Sequence, residues 1–197
     1  VTLIVDNNYA QVLTQPVDLP TFWLIVGQFF LYFFLFDAYY YLLHRVMHTK
    51  ALFWVHRYHH RTTNPNPLTA FSFHPVEALL TGGFVPLMIL VFHFHVVAII
   101  TATTFGVVSS VIVHSGHEVF PRWWYKKGKL TRYYISPLFH DRHHVSFRHN
   151  FGAFTTIWDR VFGTVEPGFD DRYSALHERI RSSRQKARDE KRAAGAR

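Results

Sequence analysis

Two long apolar stretches constrain this chain more than any other feature of its sequence. The first, residues 21–43, contains one charged side chain, Asp37. As a helix it is about 35 Å long, which is enough to cross a bilayer core of roughly 30 Å. The second, residues 78–113, contains no acidic residue, lysine or arginine, and is too long for one crossing. We therefore predict an all-α integral membrane protein with about three transmembrane helices, one span and a hairpin whose first leg is weakened by Gly82, Gly83 and Pro86.

The basic residues predict how these helices are oriented. All 21 Lys and Arg lie in residues 44–77 and 114–197. One span followed by a hairpin brings both segments to the same side of the membrane, and the positive-inside rule makes that side cytoplasmic. This distribution favours a membrane environment and predicts no nucleic-acid partner, despite the net charge of +8. We expect a non-cytoplasmic segment over 1–20, a membrane domain with a cytosolic helical cap over 21–170 and a basic tail over 171–197.

Histidine clusters are the strongest chemical signal in the chain. The sequence has 15 His and no Cys, which excludes thiolate zinc sites and iron–sulfur clusters. Ten of the histidines form four clusters in the predicted cytosolic segments: His44 and His48; His56, His59 and His60; His114 and His117; His140, His143 and His144. Residues three or four apart share one face of a helix, so each cluster presents several imidazoles together. We predict a dimetal site with about five nitrogen ligands per ion, and imidazole alone leaves Fe, Zn, Cu and Ni open.

Metal-binding imidazoles need hydrogen-bond acceptors for their second nitrogen. The candidates are the nearby acidic and amide side chains Asp37, Glu77, Glu118, Asp141, Asn150 and Asp159. Asp37 lies seven residues before His44 inside the first apolar stretch, so it is a candidate acceptor for an imidazole. It is equally a candidate partner for Tyr40 or Tyr41.

The remaining histidines are weaker candidates. His74 and His149 flank the clusters and are candidates for contacts with the metal ligands or with a substrate. His93 and His95 fall near the tip of the predicted hairpin, where we expect them at the opposite membrane interface. His177 lies in the polar tail and is expected to be solvated.

The ordered clusters resemble the fatty acid hydroxylase / sterol desaturase family of membrane-bound, histidine-rich di-iron oxygenases. The resemblance runs from about residue 30 to 165 and includes three flanking stretches: Phe73-His74-Pro75-x-Glu77, Asn150-Phe151-Gly152 and Trp158-Asp159-Arg160-x-Phe162-Gly163-Thr164. It implies two Fe ions, for which Zn can substitute, held at the cytosolic membrane face. It also implies that O2 and two external electrons hydroxylate or desaturate a C–H bond of a lipid such as a fatty acyl chain or sterol.

The resemblance also leads to expectations about the electron donor and the substrate channel. His74-Pro75 is followed by Val-Glu rather than the Gly-Gly of a cytochrome b5 haem loop. We therefore expect a separate donor, either cytochrome b5-like or a ferredoxin with its reductase. A lipid substrate is expected to enter sideways from the membrane, through an apolar channel lined by Phe33, Phe36 and Tyr40.

Other functions remain open at the level of sequence. A membrane alkane hydroxylase or acyl desaturase carries a similar histidine set. A non-catalytic metal-binding or metal-transport membrane protein is the alternative outside enzymology, although a transporter places its ligands near the middle of the bilayer. The bacterial inner membrane and the endoplasmic reticulum both fit the predicted topology.

Overall fold

The computed structural model describes residues 12–121, 123–124 and 130–195. Most of the predicted segment 1–20 therefore lies outside the described residues. The described chain is mainly helical, with α1 (Leu19–Met47), α2 (Phe53–His56), α3 (Pro75–Gly82), α4 (Phe84–Val91), α5 (Val96–Val113), α6 (Pro137–Ser146), α7 (Ile157–Val161) and α8 (Phe169–Gly195). Short 3-10 turns cover His59–Arg61, Pro67–Phe71 and Leu130–Tyr133, and two strands of two residues each are β1 (Val12–Leu13) and β2 (Phe94–His95).

The first apolar stretch forms the long helix α1. Asp18 caps its N-terminus by accepting a hydrogen bond from the backbone N–H of Thr21 at 2.9 Å. The helix continues beyond the apolar stretch, so that His44 lies in its last turn and His48 is its C-cap. Helices α1 and α5 are the two described helices that are long and apolar enough to cross a membrane.

The second apolar stretch divides as its glycine and proline residues predict. Its first part breaks at Gly83 into α3 and α4, and together these two helices cover the 17 residues from Pro75 to Val91. Pro86 has no N–H to donate to the preceding turn, which favours the break. A Cβ atom on Gly83 would lie 2.7 Å from the backbone oxygen of Leu79 in the last turn of α3, so the backbone at this break favours glycine. This first leg, about 25 Å as a helix, is shorter than the hydrocarbon core of a bilayer.

Helices α1 and α5 run in the same direction and pack along each other. Both begin beside the strands, since β1 precedes α1, β2 precedes α5, and the two strands pair in parallel. Both end at the histidine clusters. The segment α3–α4 therefore returns the chain from the histidine end to the strand end. The core between these helices is mostly aromatic and alanine side chains: Ile25, Tyr32, Phe84, Met88, Phe94, Ala98 and Ala102.

The strand pair shows how His95 is held at the hairpin tip. It lies at the end of the helices away from the histidine clusters, and it is 1% exposed. Its location at a membrane interface stays a prediction. Its Nδ1 atom accepts a hydrogen bond from the N–H of Val97 and caps α5, so the proton is on Nε2, which donates to the backbone oxygen of Gln15 at 2.9 Å. The backbone N–H of His95 in turn donates to the side chain of Gln28. His93, by contrast, is exposed.

The tail corrects an expectation made from the sequence. We expected His177 to be solvated, but it is 7% exposed, and its ring lies 4.5 Å from that of Tyr173 between centroids. Phe169 and Tyr173, both buried, attach the first turns of α8 to α6 through a cluster that includes Phe139. The remainder of α8 is mostly exposed and polar.

Asp37 joins α1 to the loop that follows α6. Its Oδ1 atom accepts hydrogen bonds from the backbone N–H groups of Phe154 and Thr155 at 2.8 and 3.0 Å. The carboxylate, which is 1% exposed, thus satisfies backbone donors of the loop after α6 rather than either partner considered from the sequence. This contact joins residues more than one hundred positions apart and holds the 150–156 loop against α1.

Replacement of Asp37 by alanine should destabilise the fold strongly. The variant leaves two buried backbone N–H groups without an acceptor, and we expect a loss of about 3 kcal/mol. Asp18→Ala is the matched control, since it removes an exposed carboxylate that accepts a single backbone N–H, and its destabilising effect should be smaller than that of Asp37→Ala. Thermal unfolding of both variants in detergent measures the difference. Equal shifts in the two variants would contradict this role for Asp37.

Candidate metal centre

Nine buried or half-buried imidazoles converge in two groups next to the ends of α1 and α5. Within each group, one nitrogen of every ring lies within 4.8 Å of the corresponding nitrogens of the others. The five-histidine group consists of His44, His48, His56, His60 and His143. The four-histidine group consists of His59, His114, His140 and His144.

The neighbouring histidines of each HH pair belong to different groups. His60 and His143 belong to the five-histidine group, whereas their neighbours His59 and His144 belong to the four-histidine group. Successive residues of a helix point about 100° apart, so one short helical turn supplies ligands to two sites. The 3-10 turn after α2 and the helix α6 both use this arrangement.

The Nε2 atoms within each group face one another at short distances. In the five-histidine group they are 2.9 Å apart for His44–His56, and 3.1 Å apart for both His48–His60 and His60–His143. In the four-histidine group they are 3.2 Å apart for His59–His114, 2.8 Å for His114–His140 and 3.2 Å for His140–His144.

The opposite ring nitrogens show which tautomer is present. Nδ1 of His44, His114, His143 and His144 lies 2.7–3.1 Å from the backbone oxygens of Phe151, Ser110, His149 and Thr62, respectively. A carbonyl oxygen only accepts, so these four Nδ1 atoms carry the proton and the Nε2 atoms present lone pairs. Lone pairs that face each other at this distance repel unless a cation lies between them. The donor set therefore fits two metal ions of the kind that imidazole prefers.

Burial keeps these imidazoles neutral. Desolvation lowers the pKa of His114 to about 4 and that of His144 to about 3. Desolvation and the neighbouring histidines also lower the pKa values of His140 and His143 well below the ordinary range. The neutral ring is the form that binds a metal, so the site is in its ligating form at neutral pH.

Glu77 is the predicted acceptor that contacts a ring of the site directly. Its Oε1 atom lies 2.7 Å from Nδ1 of His56, and both side chains are fully buried. Asp159 supports the site indirectly. It accepts hydrogen bonds from the backbone N–H groups of Phe151 and Gly152, both at 2.8 Å. These bonds hold the loop whose Phe151 carbonyl orients His44.

The other predicted polar residues support the backbone around the site. Asn150 donates to the carbonyl of Phe139 and accepts from the N–H of Glu166, with its own backbone in the left-handed region at φ 65°. Glu118 accepts from the N–H groups of Phe120 and Leu138, and Leu138 lies in the first turn of α6. Asp141 is half-buried beside Arg142, and desolvation raises the pKa of its carboxyl group.

Among the ten predicted ligands, His117 lies outside both groups. It is exposed, and its Nδ1 atom lies 2.9 Å from the backbone oxygen of Ser115. Helix α5 ends at Val113, and Gly116 has φ 71°, so His114 and His117 do not share a helical face. The spacing of three residues pointed to a ligand pair only on the assumption that the helix continued.

The two flanking histidines do not join the groups either. Nδ1 of His74 accepts the N–H of Val76 and caps α3. His149 contributes its backbone carbonyl to His143 rather than its ring. The sequence did not indicate which backbone carbonyls orient the ligands, because any residue has one.

An apolar cavity of about 300 Å³ lies between α1, α3 and α5 beside the histidine groups. Phe36 and Tyr40 line it, as predicted, whereas Phe33 stacks on Phe154 at 5.0 Å between ring centroids. Phe71 and Val107 also line the cavity and are 59% and 51% exposed, so it opens on the outer apolar surface.

Comparisons with known proteins agree on one family. The family model described as "Fatty acid hydroxylase" matches residues 29–164. Methylsterol monooxygenase 1 of Gallus gallus is 30% identical over 159 residues, which are 80% of this chain and 52% of the relative. C-4 methylsterol oxidase erg25 of Schizosaccharomyces pombe is 32% identical over 158 residues, 77% of this chain and 51% of the relative. Delta(7)-sterol 5(6)-desaturase of Eremothecium gossypii is 33% identical over 125 residues, 63% of this chain and 33% of the relative.

The chain thus spans about half the length, or less, of these curated relatives. No solved structure matches it significantly.

Metal content should separate the converging histidines from the exposed one. We expect wild-type protein purified from iron-supplemented cells to hold about two metal ions per chain. His143→Ala should lose at least one of them, because it removes a buried ligand, whereas His117→Ala should retain both. Elemental analysis of the three proteins measures this. An equal loss in both variants would contradict the two groups as the metal site.

Proposed function

The chain belongs to the fatty acid hydroxylase family, and on that premise we propose that it is a membrane di-iron oxygenase acting on a lipid. It would use O2 and two external electrons to hydroxylate or desaturate a C–H bond. The observation that carries this proposal is the apolar cavity, which leads from the outer surface to three buried histidines of the site, His59, His114 and His140. An all-imidazole dimetal site that faces an apolar cavity suits the oxidation of a hydrocarbon group better than the binding of a polar substrate.

We propose a sterol as the substrate, and a fatty acyl chain as the alternative to be tested against it. The relatives described above are named as a methylsterol monooxygenase, a methylsterol oxidase and a sterol desaturase. A cavity of about 300 Å³ is at the lower end of ligand pockets. It would admit one end of a sterol, while the rest remains in the membrane.

The proposed membrane arrangement follows from the direction of the helices. α1 and α5 would both cross the bilayer towards the histidine groups, and α3–α4 would form the shorter returning leg. The groups then lie beyond the ends of the spans, beneath the cap made by α2, α6 and α7. The lysine and arginine distribution supports a cytoplasmic location for this cap, in a bacterial inner membrane or the endoplasmic reticulum.

The chain's own residues would have three tasks in the reaction. The irons, when bound, supply the activation of O2 and the oxidising power needed for an unactivated C–H bond. Glu77 and the backbone carbonyls behind Nδ1 hold the imidazoles in one tautomer and orientation. Phe36, Tyr40 and the small residue Gly106 shape the cavity and keep water from the reacting carbon. The two electrons would come from a separate protein, cytochrome b5-like or a ferredoxin with its reductase.

Metal transport is a poorer explanation of the same histidines. A transporter binds its ion near the middle of the bilayer between half-helices. Here the ligands lie at and beyond the C-terminal ends of α1 and α5 and in α6, within the cap.

Blocking the cavity mouth should stop lipid oxidation. Val107 and Val108 are neighbours on α5, and each is 51% exposed, but only Val107 lines the cavity. We expect Val107→Trp to lower turnover of a 4,4-dimethylsterol by about tenfold or more, which corresponds to a steric clash of roughly 1–3 kcal/mol. Val108→Trp, the matched control, should retain turnover.

The assay combines iron-loaded protein in lipid nanodiscs, a ferredoxin with its reductase, and ¹⁸O2, with products identified by mass spectrometry. A parallel reaction with a fatty acyl lipid distinguishes the two substrate classes. Equal turnover by both tryptophan variants would refute entry through this cavity. Reduced, iron-loaded wild-type protein that oxidises neither lipid would refute the proposed function.

A further inference from the structure

The two histidine groups are arranged unequally around the cavity. Its inner end is formed by His59, His114 and His140, all of which belong to the four-histidine group. Among the described residues, no member of the five-histidine group lines it. We infer that the two metal positions have different tasks, and that the substrate meets only the ion of the four-histidine group. This inference rests on the proposed function, because it concerns the substrate of that same site.

A wall of protein separates the cavity from the five-histidine group. Tyr40 lines the cavity, and its ring lies 5.2 Å from that of His44 between centroids. Residues 152–154 line the cavity as well, and they follow Phe151, whose carbonyl binds Nδ1 of His44. A substrate in the cavity therefore has Tyr40 and this loop between itself and His44.

The number of histidines in each group also supports the inference that the substrate meets only the four-histidine group. Five imidazoles leave fewer free coordination positions on an ion than four do. His117, the histidine that would equalise the two groups, is exposed and outside both of them. An ion held by the four-histidine group would therefore keep more positions for other ligands, and this is the group that borders the cavity.

The hydrogen bonds behind the ligands are unequal too. Glu77 lies against Nδ1 of His56, a member of the five-histidine group. In the four-histidine group, Nδ1 of His114 and of His144 bind the neutral carbonyls of Ser110 and Thr62. A carboxylate makes the imidazole that it accepts from a stronger donor, which favours the more highly charged state of the bound ion. Glu77 would therefore give an ion held by the five-histidine group a more strongly donating ligand, His56, than the backbone carbonyls give to His114 and His144 in the four-histidine group.

Cobalt spectroscopy on matched variants tests this inequivalence. Co(II) is loaded into wild-type protein, His60→Ala and His144→Ala. These residues lie in different groups, and neither lines the cavity. A 4,4-dimethylsterol is then added, its binding is followed with tritium label, and the visible d–d bands are recorded. We expect the sterol to change one of the two sets of cobalt bands in the wild type. The change should persist in His60→Ala and disappear in His144→Ala, while labelled sterol still binds to both.

The outcomes separate this inference from the proposed function. Two results would overturn the inequivalence alone. In the first, the sterol binds wild-type protein and changes both sets of bands. In the second, its effect on the bands persists in His144→Ala and disappears in His60→Ala. A sterol that does not bind wild-type protein at all, together with no binding of a fatty acyl lipid, overturns the proposed function as well. If an alanine variant loses both cobalt ions, His60→Gln and His144→Gln replace the pair, and the wild-type spectrum remains decisive.

Discussion

The mutual approach of neutral imidazoles is the interaction on which the rest of this structure depends. Nine rings place one nitrogen each within 4.8 Å of the others in their group, and facing lone pairs at such distances repel without a cation. The protein maintains this arrangement by binding the opposite nitrogens of five rings to backbone carbonyls and to Glu77. The elements that carry these acceptors, which include α3, the end of α5 and the loop after α6, are thereby held in one position around the site.

Buried carboxylates provide a second layer of support. Asp37 and Asp159 both accept backbone N–H groups of the loop that contains Phe151 and Gly152. A Cβ atom on Gly152 would lie 2.3 Å from the backbone oxygen of Thr155, so this loop is packed too tightly for any larger residue. Through the carbonyl of Phe151, the loop fixes the ring of His44. An acidic residue within a membrane helix is thus explained by backbone hydrogen bonds that reach the metal site indirectly.

The cavity connects the outer apolar surface with the site because α5 presents small side chains towards α1. Ala102 and Gly106, four residues apart, both line it, so the large aromatic side chains of α1 do not fill the space between the helices. The opening at Phe71 and Val107 lies on an apolar outer surface. Access to the site therefore depends on the packing of these two helices, and only the four-histidine group among the described residues borders the cavity.

Much of this arrangement was present in the sequence, because it depends on short-range patterns. The apolar length of residues 21–43, the Gly83 and Pro86 break and the histidine spacings predicted the helices, and nine of the ten predicted ligands converge. The tertiary structure alone decided what depends on contacts between distant segments. It assigned His59 and His60 to different groups, left His117 outside both groups because α5 ends at Val113, buried His95 and His177, and directed Asp37 to backbone donors more than one hundred residues away. Local spacing specifies which face of a helix a side chain occupies, but the partner that this face meets is determined only when the whole chain packs.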